Sequence, residues 1–273
     1  MKQNELFKTK VVLYPGTDEE QNIPAIPLAN SIIVGATGSG KTVLVNNLIK
    51  NLIQNYSGES IEVSIWDGLC NDLDVWIPKS NGEYSTDRYI QHIKTFCYNI
   101  KNVDKMVDNI NISYRSIDDF IYQINKEVIS RKECLQYMYD CDNYEEFCEK
   151  HTPLLMRPHI IFINEYTYDL SSDNDLYDLL SRCEETGVYI ILSTQQSTRV
   201  TEDILELCDN KFELKLYSFE AERLFNSSEN NDKLPRSGYC IYHNYNDSTI
   251  LKIPFTPDSF LRKFVGYHSI RCK

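Results

Sequence analysis

Eight consecutive residues, Gly35-Ala36-Thr37-Gly38-Ser39-Gly40-Lys41-Thr42, carry the most specific chemistry legible in the chain. A Gly-rich loop closed by Lys and Thr is the pattern that cradles the phosphates of a nucleotide. Glycines let the backbone curl so that successive N–H groups point inward, and the helix that follows adds partial positive charge at its N-terminus. Three of the chain's ten glycines stand here. Gly35, Thr37, Gly38, Ser39 and Gly40 are thus the expected cradle, Lys41 reaches the β- and γ-phosphates as a point charge, and the Thr42 hydroxyl is a ligand for magnesium. ATP and Mg2+ are the expected ligands.

Two further groups suit the same reaction. The apolar run His159-Ile160-Ile161-Phe162-Ile163 ends in Asn164-Glu165. A phosphate-cleaving site needs an acidic group at a strand end to hold magnesium through water, and a carboxylate to position or deprotonate the attacking water. Asn164 stands where the aspartate is expected. It accepts a hydrogen bond from metal-bound water but adds no charge, so weaker magnesium binding is expected. Glu165 is the candidate general base. A second apolar run, Val188 to Ser193, ends in Thr194-Gln195-Gln196, and Gln195 is the candidate for orienting the attacking water or bonding the γ-phosphate.

The elements that must hold these groups follow from periodicity. Ser31 to Val34 reads as a short buried strand before the loop, and Thr42 to Gln54 carries Val43, Leu44, Leu48, Ile49 and Ile53 at helical spacing. Ile61 to Trp66 is a second strand ending in Asp67, and the two runs above are a third and a fourth. Apolar strands alternating with helices predict an α/β fold with a mainly parallel central sheet covered by helices on both faces; with the Gly-rich loop between the first strand and helix, this resembles the P-loop NTPase, RecA-like type. Segments 7–14 and 22–28 flank a polar turn and predict an N-terminal hairpin, while Lys211 to Tyr217, Gly238 to His243 and Thr249 to Phe255 predict a C-terminal antiparallel extension. The expected organisation is one ATPase domain over 1–273: hairpin 1–30, P-loop unit 31–67, a helical, partly inserted region 68–157 with an amphipathic stretch from Ile117 to Tyr139, and the rest of the sheet in 158–273.

The chain of 273 residues is 42% hydrophobic and 25% charged, the make-up of a globular protein with a sizeable core. No apolar run approaches the roughly 20 residues that span a bilayer, and the start shows no apolar signal stretch. A cytoplasmic location is expected. Nine cysteines without a Cys-x-x-Cys pair read as free thiols. Cys134, Cys141, Cys148 and His151 recur at intervals of seven, seven and three, which reads as a buried seam rather than a zinc site, because structural zinc uses tighter ligand pairs. The net charge of −12 excludes a surface that is basic throughout, but leaves room for a local contact with a polyanion.

With these residues assembled, the chain resembles the motor domain of the FtsK/SpoIIIE family, within the wider HerA/FtsK group of ring-forming ATPases. The resemblance rests on Ile33 through Thr42 with Val45-Asn46, on Ile65-Trp66-Asp67, on Glu127-Val128-Ile129-Ser130-Arg131, on Asn164-Glu165-Tyr166 through Leu170, and on Gly187 through Gln195. Leu224-Phe225 through Pro235-Arg236-Ser237-Gly238-Tyr239 is loosely similar to the family's late helix and turn. Asn164 departs from the family aspartate, and Gln196 stands where an arginine is usual. The resemblance implies a ring, of hexameric type, with ATP between subunits and double-stranded DNA in the channel. It also implies an arginine donated by a neighbouring subunit, for which Arg131 and Arg182 are the candidates. A DNA translocase acting in conjugation, segregation or viral DNA packaging is the expected function. The alternative is a nucleotide-dependent protein-binding module of a secretion or transfer machine with weak ATPase activity. Ser80 to Glu83 and Asn226 to Arg236 are candidate channel-facing loops.

Overall fold

The computed structural model describes residues 11–56, 60–67, 73–76, 93–97, 117–152, 155–166, 174–244 and 247–271. Its centre is an eight-stranded sheet. The strands in chain order are β3 (Ser31–Val34), β4 (Glu62–Asp67), β5 (Ile93–Cys97), β6 (His159–Asn164), β7 (Val188–Thr194), β8 (Asn210–Glu213), β9 (Tyr239–His243) and β10 (Ser248–Lys252). Before them β1 (Val12–Leu13) and β2 (Ile26–Pro27) pair antiparallel, the expected hairpin in its described part; residues 7–10 of that expectation lie outside the described residues.

The spatial order is β10-β9-β8-β3-β7-β6-β4-β5. From β8 to β5 every neighbouring pair is parallel, whereas β9 and β10 join antiparallel. The sequence explains the difference. From Ile32 to Val34 in β3 and from Ile160 to Ile163 in β6 consecutive side chains are apolar, so both faces are buried: Ile33, Ile160 and Phe162 enter one core cluster, and Ile32, Val34, Ile161 and Ile163 enter the other. Such runs suit a sheet covered on both sides. β10, at the edge, shows exposed Ser248, Thr249 and Lys252 instead.

The two covering layers come from different helices. On one face α1 (Lys41–Asn55) buries Leu44, Val45, Leu48, Ile49 and Leu52, and α8 (Asp258–Arg271) adds Leu261 and Phe264. Each fully buried aliphatic side chain contributes about 1.5–3 kcal/mol. Asn46 of the same helix accepts a hydrogen bond from Trp76 Nε1 at 2.6 Å, and Trp76 packs edge-on against Phe264. On the other face lie α2 (Ile117–Met138), α4 (Asn174–Cys183) and α5 (Glu202–Glu206), through Phe120, Ile124, Val128, Leu176, Leu179 and Ile204. α3 (Tyr144–Lys150) follows α2, and α6 (Ser218–Phe225) and α7 (Ser228–Lys233) bridge β8 to β9.

Two differences from the sequence reading have physical causes. β5 lies inside the region read as helical, and it pairs with β4 from Val63↔Ile93 to Asp67↔Cys97. Its sequence, IKTFC, is too short and mixed to announce a strand. The strand read as Lys211 to Tyr217 ends at Glu213: Leu214 keeps one bond to β3, from its N–H to Val34 O, and by Leu216 the chain has turned to the Asn231 side chain. Cys141 and Cys148 join Leu135, Tyr144, Phe147, Tyr139 and Met156 in a small third core. The Cys141 thiol donates to Tyr139 O at 3.3 Å. The seam read from sequence thus holds for Cys141, Cys148 and His151, whose ring packs on Tyr139 and Phe147, whereas Cys134 is half-buried and not part of this core.

Candidate nucleotide site

The parallel strands all deliver their C-terminal ends to one edge of the sheet, where ligands of open α/β sheets bind. Val34 runs into the Gly-rich loop, Asp67 closes β4, Asn164-Glu165 close β6, and Thr194-Gln195 close β7. Separate stretches of sequence therefore meet around Lys41.

The loop itself is built as its composition requires. Gly38 and Gly40 hold φ of 78° and 105°, a left-handed backbone that only glycine adopts freely. Gly35 needs its hydrogen for a different reason: a Cβ there would meet Ser39 Oγ at 2.5 Å and Leu214 Cβ at 2.7 Å. The loop is tied to β8 through Ala36 N–H to Lys215 O at 2.9 Å, and turns on Ser39 N–H to Ala36 O at 3.1 Å.

α1 opens on this loop with Gly40 at its N-cap, no side-chain cap and no acidic residue in its first turn. The contrast with other helices of the same chain is informative. α3 is capped by Asn143 and α5 by Thr201, and both begin with acidic residues that complement the helix dipole. At α1 the N–H groups and the positive end of the dipole are kept for an anion from outside the helix.

Lys41 lies almost fully buried. Its Nζ donates to Gly35 O at 3.0 Å and Ala36 O at 3.3 Å, and stands 3.5 Å from Glu165 Oε1. Glu165 has φ of 53°, left-handed for a residue with a side chain; such a conformation costs roughly 1–3 kcal/mol. The neighbouring strand holds it there. Tyr166 N–H bonds Ser193 O at 2.9 Å and Thr194 Oγ1 donates to Tyr166 O at 2.8 Å, so the chain turns sharply after β6 and aims Glu165 at the loop.

Gln195 reaches the loop directly, its Oε1 accepting from Thr37 Oγ1 at 2.6 Å. Asn164 meets a group that sequence reasoning did not place in the site. Its Nδ2 donates to Asp67 Oδ1 at 3.1 Å, while Asp67 Oδ2 accepts Leu73 N–H at 3.0 Å. Asp67 was legible only as a residue ending a strand; its contact depends on β4 and β6 being neighbours, with Asp67 in register with Asn164. Asn164 Oδ1, Ser39 Oγ and Ser193 Oγ are buried without a hydrogen-bond partner. Buried polar atoms are rarely left so, and around a phosphate-type loop a ligand with its hydration is one chemistry that would complete their bonding.

The two arginines singled out from sequence are not brought to this cluster. Arg131 bonds Glu127 at 2.8 Å and Arg157 O at 2.8 Å, beside the start of β6. Arg182 donates to Asn125 at 2.8 Å near the end of α4, whose Leu180 carbonyl is bonded by Asn30 just before β3. Both sit at the opposite edge of the sheet. Around Arg131, Glu127 also bonds His159 Nδ1 at 2.9 Å, and His159 Nε2 lies 2.7 Å from Ser64 Oγ. Burial by itself would raise the Glu127 carboxyl, but the His159 hydrogen bond and the charges of His159 and Arg131 outweigh it and hold the group at about 2. Of the two candidate channel loops, Ser80 to Glu83 lies outside the described residues, and Asn226 to Arg236 is largely α7.

A model of the FtsK/SpoIIIE family matches residues 4–69, the hairpin, loop, α1 and β4. Over that stretch the chain is similar to FtsK/SpoIIIE-type P-loop ATPases. Among solved structures, the domain is similar to the cytoplasmic domain of the Thermomonospora curvata type VII secretion ATPase EccC, at 15% identity and a TM-score of 0.70, over 95% of this chain and 32% of that one. It is similar to the pCW3 conjugation coupling protein TcpA, in its monomer form with ATPγS, at 13% identity and a TM-score of 0.66, over 97% of this chain and 72% of that one. The genome packaging NTPase B204 of Sulfolobus turreted icosahedral virus 2, in complex with AMPPCP, matches at 14% identity and a TM-score of 0.51, over 83% and 98%. Among curated proteins, UvrABC system protein B of Aster yellows witches'-broom phytoplasma shares 23% identity over 160 residues, 54% of this chain and 24% of that one. The ATPase domain thus spans about a third of EccC and a quarter of the UvrABC protein. Among the described residues no helix is long and apolar enough to cross a membrane.

Proposed function

We propose that the domain hydrolyses ATP and couples the cycle to movement of double-stranded DNA through a ring of identical subunits. The observation that carries the reading is the placement of Lys41, Glu165 and Gln195 around an uncapped helix N-terminus. In this arrangement Lys41 is neutralised by Glu165 and by the loop's own carbonyls. Entry of ATP draws the ammonium to the β- and γ-phosphates and frees the Glu165 carboxylate to accept a proton from the attacking water. Gln195, already on the loop through Thr37, orients that water.

The donor set fits a hard divalent cation. Thr42 and Asn164 would hold it, and Asp67 adds the carboxylate that position 164 lacks. When bound with the nucleotide, magnesium supplies positive charge to the β- and γ-phosphate oxygens.

Duplex DNA as the polymer is supported by likeness to a conjugation coupling protein and a genome packaging NTPase. The second reading, a nucleotide-dependent module that binds protein partners, is favoured by one feature of the surface. Tyr217 and Phe219 stack on each other at 6.1 Å, each 68% exposed, on a protein of net charge −12. Exposed aromatic pairs suit protein contacts more than phosphate backbones.

Steady-state ATP hydrolysis with no nucleic acid, with long duplex DNA and with single-stranded DNA separates the two. Stimulation by duplex DNA, lost in Lys41→Ala, is the expected outcome. Slow turnover indifferent to either nucleic acid would overturn the translocase reading in favour of the protein-binding module.

A further inference from the structure

We infer that Arg236 is a phosphate ligand acting in cis, gripping the nucleotide from the outer side of the Gly-rich loop. The inference rests on the nucleotide reading above and deepens it. The guanidinium lies against the loop's tip: a Cβ built on Gly38 would stand 3.7 Å from one terminal nitrogen of Arg236 and 4.0 Å from its Nε. The turn that carries it is anchored on both sides. Leu234 before it is buried, Ile253 N–H bonds Gly238 O at 2.8 Å after it, and Gly238 N and Ser237 Cβ lie 3.6 and 4.0 Å from the Cβ position of Gly40. The turn therefore runs along the loop, with Pro235 stiffening its entry.

Charge points the same way. The chain holds 40 acidic and 28 basic residues, so acceptors for a surface arginine are plentiful. Other arginines find them: Arg131 pairs with Glu127, Arg157 with Glu62, and Arg223 bonds the carbonyls of Val200 and Ser197. Arg236, exposed on an anchored turn beside the loop, bonds no group among the described residues. An unpaired guanidinium next to a phosphate cradle has a partner of matching geometry in a phosphate group, whose oxygens its planar fork accepts two at a time. Lys41 approaches the same phosphates from inside as a point charge, so the two cations hold opposite sides of the chain of phosphates. The positive charge sought in Arg131 and Arg182 of a neighbour is in this way supplied, at least in part, by the same subunit.

The test is equilibrium binding of ATP, ADP and AMP to the full chain, with turnover in parallel, for wild type, Lys41→Ala, Arg236→Ala and Arg236→Lys. Arg236→Ala is expected to weaken ATP binding about ten-fold while leaving AMP binding unchanged, and Arg236→Lys to recover only part of the loss, because a point charge does not replace the fork. Far-UV circular dichroism and thermal unfolding indistinguishable from wild type accompany that result, since the side chain supports no packing. ATP binding and turnover at the wild-type level in Arg236→Ala, with binding lost in Lys41→Ala, overturns the inference and leaves the nucleotide site standing. Equal weakening of ATP and AMP also overturns it, as a general disturbance of the loop. Absence of ATP binding by the wild type overturns the nucleotide reading and this inference with it.

Discussion

Lys41 Nζ and Glu165 Oε1 stand 3.5 Å apart, and each side chain keeps only 5% of its surface in solvent. The pair joins the proposed phosphate ligand to the proposed general base, and each side chain's charge is met by the other. A buried ion is tolerated when paired, and removing one partner strands the other. Lys41→Ala is accordingly expected to abolish ATP turnover and also to destabilise the fold by about 3 kcal/mol. Urea denaturation checks the second effect, and Lys41→Ala/Glu165→Gln should recover much of it. Wild-type stability in the single variant would argue against the buried pair.

Asn164 donates to Asp67, so its replacement has two opposed consequences. Asn164→Asp adds a charge for magnesium but sets two carboxylates side by side. Without divalent cation the variant should be less stable than wild type by roughly 1–2 kcal/mol, a fall of about 2–8 °C in Tm. With magnesium and nucleotide it should gain more than wild type and turn over at lower magnesium concentration. Thermal melts with and without MgATP, and a magnesium titration of the rate, test both halves.

Gln195 contacts the loop through Thr37 and supports no buried packing. Gln195→Ala is expected to lower kcat by about 100-fold with little change in KM, because water is oriented only in the hydrolytic step. A rise in KM alone would assign Gln195 to substrate binding instead.

Glu127 links α2 to the start of β6 through His159 and Arg131. Its folded value of about 2 lies below the ordinary 4.5, so the carboxylate stabilises the fold above about pH 4.5 and that contribution is lost as pH falls towards 2. With allowance for a side chain that is 32% exposed, the stabilisation at neutral pH is about 2 kcal/mol. Glu127→Gln should therefore be less stable than wild type at pH 7, with the gap narrowing at pH 3.5. Chemical denaturation at the two pH values reads the difference, and a gap independent of pH would assign the loss to packing.

Asn164-Glu165 and Thr194-Gln195 could be placed at strand ends from sequence because each pair follows an apolar run, and such runs end where a parallel strand leaves the core. Asp67 also ends a strand, one whose apolar run is broken by Glu62 and Ser64, and it escaped assignment as a site residue. Its role depends on which strand lies beside β4, and the order β7-β6-β4 is not written in any local pattern. Arg236 was visible as a residue of a Pro- and Gly-containing turn, yet 198 positions separate it from Gly38 in the chain and nothing local links them. Arg131, expected to be donated to a neighbouring subunit, is held by Glu127 and Arg157 away from the loop of its own subunit, a placement that its order along the chain does not record.

By itself the sequence determined the loop, the helix behind it and the doubly covered parallel sheet, because backbone freedom at glycine, helical periodicity and two-sided apolar strands act over a few residues and leave local marks. Only the tertiary structure decided that Lys41 is paired with Glu165, that Asn164 is backed by Asp67 and that Arg236 overhangs Gly38. Those relations join residues far apart in the chain, and they arise from strand order and from the path of turns across the sheet edge, which packing of the whole domain sets.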